Sequence, residues 1–128
     1  MAKLPLKMLL VVFASISFAG TYNIPIEAAL TISKVNSAAQ QNDFEALQLL
    51  MTTDFIWSFG GDASATQAIA EWRSNPDAIN QLIRVTGQPC THNEDNTVEC
   101  PRNAGLGYRA GFKITNAGWR MYYFVQGD

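Results

Sequence analysis

The chain has 128 residues, nine basic and eleven acidic side chains, one histidine and two cysteines, for a formal net charge of −2 at pH 7. That length holds one ordinary domain rather than two. Without a basic cluster it lacks the footprint that phosphate backbones or anionic lipids need, which excludes nucleic acid as a partner, and one histidine with two cysteines is too thin a set for a metal site.

The first residues read as a leader. Lys3 and Lys7 make a basic start, Met8 to Phe18 is an unbroken run of apolar or small residues, and Ser17-Phe18-Ala19 closes it with a small-x-small pattern. The run is too short for a bilayer-spanning helix of about 20 residues, so the layout predicts a secretory signal over residues 1–19 and a mature domain over 20–128, periplasmic or secreted and free of the membrane after cleavage. Cleavage removes two basic side chains and no acidic one, leaving a more acidic domain.

In the mature chain, Pro25 followed by Ala28, Ile32, Val35 and Ala39 at helical spacing predicts a first helix to about Gln41. Asn42 with Glu45 three residues on resembles a cap, and Phe44, Leu47, Leu50 and Met51 form the stripe of a short second helix. Asp54 to Phe59 alternates and is rich in aromatics, which predicts a strand ended by Gly60 and Gly61. These glycines lack any nucleotide-binding pattern, and no cofactor is expected. Ser64 with Gln67, then Ala65, Ala68, Ile69 and Trp72, predict a third helix; Asn75-Pro76, then Ile79, Leu82 and Ile83, with Gly87 as the stop, predict a fourth.

Beyond Gly87 the pattern is that of strands. Gln88–His92 and Thr97–Pro101 read as a hairpin about the polar turn Asn93-Glu94-Asp95-Asn96, which sets Cys90 opposite Cys100 at a distance a disulfide can bridge. An oxidised pair is what an exported protein is expected to hold. Leu106, Tyr108, Ala110, Phe112 and Ile114 alternate with Gly107, Arg109, Gly111 and Lys113 in the next strand. After a turn at Asn116-Ala117-Gly118, the last strand sets Trp119, Met121, Tyr123 and Val125 against Arg120, Tyr122, Phe124 and Gln126. Helices first and a meander of strands last predict an α+β fold in which the helices cover one face of a curved antiparallel sheet.

Asn42-Asp43-Phe44-Glu45-Ala46-Leu47 to Met51 with Thr53-Asp54-Phe55-Ile56-Trp57, then Gln67-Ala68-Ile69-Ala70-Glu71-Trp72, then Gly118-Trp119-Arg120-Met121, resemble in order the passages of the nuclear transport factor 2-like superfamily. The resemblance implies a cone-shaped domain with a pocket between the first helix and the concave sheet. The superfamily includes isomerases, dehydratases, polyketide cyclases and members that only bind or associate, so the fold does not choose among them.

An isomerase of that kind needs a carboxylate base near the end of the first strand, where this chain has Phe59; Asp62 follows the two glycines and reads as preceding or capping the third helix. A dehydratase would pair a histidine with an aspartate, and the sole histidine, His92, falls at the tip of the cysteine hairpin. No catalytic set is therefore assigned. Trp57, Tyr108 and Tyr123, with Asp54 as a polar group, are the candidates for a pocket that takes a small apolar molecule. Tyr122 and Phe124 are expected on the outer face of the last strand, where they would form a homodimer or dock a protein partner, as in a periplasmic immunity or inhibitor protein.

Overall fold

The computed structural model describes residues 23–127; the expected signal segment and its cut lie outside the described residues. Helix α1, Ile26–Gln40, follows Pro25 and buries Ala28, Ile32, Val35 and Ala39 as expected, with Thr31 and Ala38 beside them. Asn42 ends it rather than starting the next helix. Its φ of 54° places it in the left-handed region that asparagine tolerates. The amides of Asn42 and Asp43 then donate back to the carbonyls of Ala39 and Ala38, at 3.1 and 2.9 Å, satisfying carbonyls that a helix end leaves unpaired. The cap of α2, Phe44–Leu49, is consequently Asp43, whose carboxylate accepts from the Ala46 amide at 3.1 Å.

Strand β1, Met51–Ile56, starts and ends three residues before the expected span, and Met51 belongs to it instead of to α2. Tertiary pairing overrides the helical stripe here: the Leu50 carbonyl already accepts from the Met121 amide at 2.8 Å, and Met51 registers with Met121. Helix α3, Ala65–Arg73, has Ser64 accepting from the Gln67 amide at 3.1 Å and buries Ala65, Ala68, Ile69 and Trp72. Helix α4, Pro76–Thr86, is capped by Asn75 through the Ala78 amide at 3.2 Å. It buries Ile79, Leu82, Val85 and Thr86, and leaves Ile83 at the margin.

Strands β2 (Thr91–His92), β3 (Val98–Cys100), β4 (Tyr108–Thr115) and β5 (Gly118–Gln126) join β1 in one sheet of order β1-β5-β4-β3-β2. The sheet is mixed, not wholly antiparallel, because β1 pairs with β5 in parallel. Alternation along a strand reveals its faces but not the direction of a partner so remote in sequence. The helices pack on one face. Phe55, Phe112, Leu47, Leu82, Met121, Val35, Val85 and Val98 are fully buried between the layers. Two polar ties set the helices: the Thr31 hydroxyl donates to the Trp119 carbonyl at 3.3 Å, and the Asn36 amide donates to the Ile83 carbonyl at 2.9 Å and the Thr86 hydroxyl at 3.0 Å.

The last strand departs from simple alternation. Phe112 registers with Met121 and Gly111 with Tyr123, so Tyr122 is an extra residue, a β-bulge that exchanges the faces of everything after it. Trp119, Met121 and Phe124 therefore all face the helices, at 5%, 0% and 3% exposure. Tyr123 and Val125 pass to the other face with Arg120 and Tyr122, and the expected outward position of Phe124 is corrected. In β4, Ala110 and Phe112 are buried, whereas Ile114 is 50% exposed near the strand's end and Leu106 lies before the strand at 72%.

In the cysteine hairpin, Thr91 registers with Glu99 and His92 with Val98; the next pair outward is Cys90 and Cys100, joined by a disulfide and both buried. Asn93 donates its amide to the Thr97 carbonyl at 2.8 Å and Asn96 has φ 64°, the geometry of a three-residue hairpin loop with its last residue left-handed. The Thr97 hydroxyl and amide both donate to Asp95, at 2.6 and 3.1 Å, and hold its carboxyl below the usual value. Replacing both cysteines by serine is expected to lower the unfolding free energy by about 2–3 kcal/mol, the loop-closure contribution of a bridge this short. Urea denaturation of the oxidised parent and the variant measures it.

Candidate functional site

An aromatic row leads from the core to a cleft at the surface. The Phe55 ring meets Trp72 edge-on at 5.6 Å, Trp72 meets Phe124 edge-on at 5.7 Å, and Tyr108 stacks on Phe124 at 5.2 Å with 25° between planes. Edge-to-face and offset contacts of this kind suit the ring quadrupoles, and they fix three rings as the floor of the cleft. Each comes from a different element: Trp72 from the last turn of α3, Phe124 from β5 beyond the bulge, Tyr108 from the start of β4.

Trp57 and Phe59 form the opposite wall, just past the end of β1. Their loop turns sharply, with Gly60 at φ +89°, a conformation glycine adopts without cost. It is tied off where the Ser64 amide donates to the Phe55 carbonyl at 2.8 Å. The cleft has a volume of about 300 Å³, at the small end of ligand sites. Its polar liners are Ser58, Glu71, Asn75 and Gln126. Glu71 and Asn75 reach it because α3 stops and α4 starts at its rim. The indole Nε1 of Trp57 is buried and no acceptor among the described residues is in reach.

Of the four expected pocket residues, the structure brings Trp57 and Tyr108 together here. Asp54 is exposed on β1, and Tyr123 lies on the opposite face of the sheet. Asp62 is exposed in the loop before α3, and His92 is exposed at the hairpin tip, its Nε2 bonded to the Asn96 side chain at 2.7 Å. Neither lines the cleft. Sequence reasoning placed Trp72 in the core and Asn75 at a helix start without assigning either to a site, and gave Glu71 no role; the adjacency of a helix end and a capped helix start in Arg73-Ser74-Asn75-Pro76 is the signal that marks that rim. A larger hollow of about 420 Å³ beside Glu45, Gln48, Leu49, Met51, Thr53 and Ala65 has no aromatic liner, so the Trp57 cleft is the better candidate.

On the outer face, the Tyr123 ring lies flat across Gly111, where even a methyl group would collide with it. The ring meets Tyr122 edge-on at 4.8 Å, and the Lys113 ammonium sits 4.9 Å from the Tyr122 ring centre. Arg109 approaches Glu99 at 3.8 Å beside them and also donates to the Gly105 carbonyl. Ile56, Phe59, Glu99, Arg109, Tyr123 and Val125 enclose a shallow hollow of about 290 Å³ on this face.

No protein-family model and no curated protein matches the chain. The solved structures similar to it include the following two. One is an NTF2-like protein with a cystatin-like fold from Novosphingobium aromaticivorans, at 21% identity over 79% of each chain with a TM-score of 0.46. The other is an NTF-2 like protein of unknown function from Shewanella oneidensis, at 9% identity over 80% of this chain and 97% of that one, with a TM-score of 0.48.

Burial raises the hydroxyl pKa values of both Tyr122 and Tyr123 above the ordinary 10.0, with Glu99 adding to the shift at each. An unfolded tyrosine ionises near pH 10, so above that pH the unfolded chain releases protons that the folded chain keeps. The associated stability is fully present below about pH 10 and is lost as pH rises through the folded values. The urea midpoint is expected to fall above about pH 10, and to fall less steeply in Tyr123→Phe; an ultraviolet titration showing every tyrosine ionised near pH 10 in still-folded protein contradicts this.

Proposed function

We propose that this chain is an exported binding protein that holds a small, largely apolar molecule in the cleft between Trp57 and the Trp72–Phe124–Tyr108 floor, without catalysing a reaction on it. The observation that carries the reading is a cleft of about 300 Å³ walled by the rings of Trp57, Phe59, Trp72, Tyr108 and Phe124. Aromatic walls with a few polar groups are what pockets for small apolar molecules typically show. Export is supported by the leader pattern of residues 1–19 and by the disulfide, which forms and persists in oxidising compartments. Among the described residues no helix is long and apolar enough to cross a membrane.

The test is an NMR titration with benzyl alcohol, which has one ring and one hydroxyl. The indole N–H resonance of Trp57, assigned by its loss in Trp57→Phe, is expected to shift while that of Trp119, which does not line the cleft, stays in place. If Trp57 does not move, the cleft does not take a neutral apolar molecule.

A second reading concerns the outer face, where Ile56 and Phe59 are 40% and 67% exposed beside Tyr122 and Tyr123. Apolar groups there alternate with charges of both signs, Glu99, Arg109 and Lys113, a mixture that can pair with itself across a two-fold axis. The corresponding proposal is a homodimer through this face. Phe124 takes no part, since it is buried. Analytical ultracentrifugation is expected to find the parent dimeric and Ile56→Ser/Tyr122→Ser monomeric and folded; a parent that stays monomeric at high concentration removes the proposal.

A further inference from the structure

Resting on the cleft being a binding site, we infer that its ligand is a small organic cation, the chemistry of an amine or its quaternary ammonium form. Five of the eleven liners are aromatic: Trp57, Phe59, Trp72, Tyr108 and Phe124. Ring faces are electronegative and attract ammonium groups, most strongly where water is excluded. Among the described residues Glu71 is the one charged liner, and no lysine, arginine or histidine lines the cleft.

The neighbouring cations are engaged elsewhere. Arg73, next to Trp72 in sequence, lies over the Phe44 ring at 4.9 Å; Arg109 is with Glu99; Arg84 donates to the Gln81 side chain at 2.7 and 3.1 Å. Among the described residues Glu71 has no ion-pair partner. An anionic ligand would meet repulsion from this carboxylate and from the rings together, and a neutral one would gain burial alone. A cation gains from all three. The volume of about 300 Å³ limits the ligand to a few heavy atoms beyond the charged head.

Choline and dimethylbutanol, its neutral carbon isostere, separate charge from shape, since both have the hydroxyl and the same bulk. Titrations followed at the Trp57 indole N–H are expected to give choline at least about tenfold tighter binding, the scale of a desolvated cation–aromatic contact with an added carboxylate. Glu71→Gln, an exposed change that keeps size and helix propensity, is expected to weaken choline about fivefold or more and to leave dimethylbutanol unchanged. Equal affinities for the two ligands, insensitive to Glu71→Gln, overturn the cation assignment and leave the cleft reading standing. If neither choline, dimethylbutanol nor benzyl alcohol moves Trp57, both readings fall together.

Discussion

The extra residue in β5 is the constraint on which the arrangement of this protein depends. β5 lies between β1 and β4 and carries the helices on one face, so its side-chain order decides what is core and what is surface. With strict alternation, Tyr123 and Val125 would follow Trp119 and Met121 inward, and Phe124 would point away from the helices. The bulge at Tyr122 reverses this. Phe124 is delivered to Trp72 and Tyr108, completing the aromatic floor, and Tyr123 is delivered to the outer face. There its ring needs Gly111 beneath it, since any side chain on β4 at that point would occupy the same space. One inserted residue thus builds the cleft and the outer aromatic patch together.

Much of the fold was legible because the relevant forces are local. Ser64 and Asn75 act as caps where hydroxyl and amide side chains precede apolar periodicity, and the four inward residues of α3 are those at helical spacing. The cysteine register followed from symmetry about Asp95, since one residue in a hairpin fixes the partners of the rest. What was not legible is non-local. That Met51 leaves a helical stripe for a strand is decided by Met121, and the parallel direction of β1 by where β5 has a free edge. The bulge is invisible in the run Arg120-Met121-Tyr122-Tyr123-Phe124, because every residue there is large and suits either face. Phe124 was consequently read as surface, and with it half of the expected interface.

The candidate site was legible to the same degree. Trp57 and Tyr108 stand out as aromatics with polar tips at strand ends, and both line the cleft. Tyr123 failed by the bulge, and Asp54 because the strand begins earlier than its aromatic content suggests, which leaves Asp54 within β1, exposed and away from the cleft. Glu71 carries no signal in a helical stripe, where an exposed acid is ordinary. It gains meaning only from the break between α3 and α4, which ends one helix and begins the next on the rim of a single hollow.

The two margins of the sheet bear on how copies of the chain can meet. An open margin presents a row of unpaired amides and carbonyls, a template for further strands and for fibres. Here one margin is β2, two residues long and pinned by the disulfide just beyond it, and the other is β1, whose register with β5 shifts along its length and which carries Asp54. Neither offers the long, flat, uncharged row that strand addition requires. The chain can thus expose several aromatic rings on one face of its sheet without inviting growth by stacking strand upon strand.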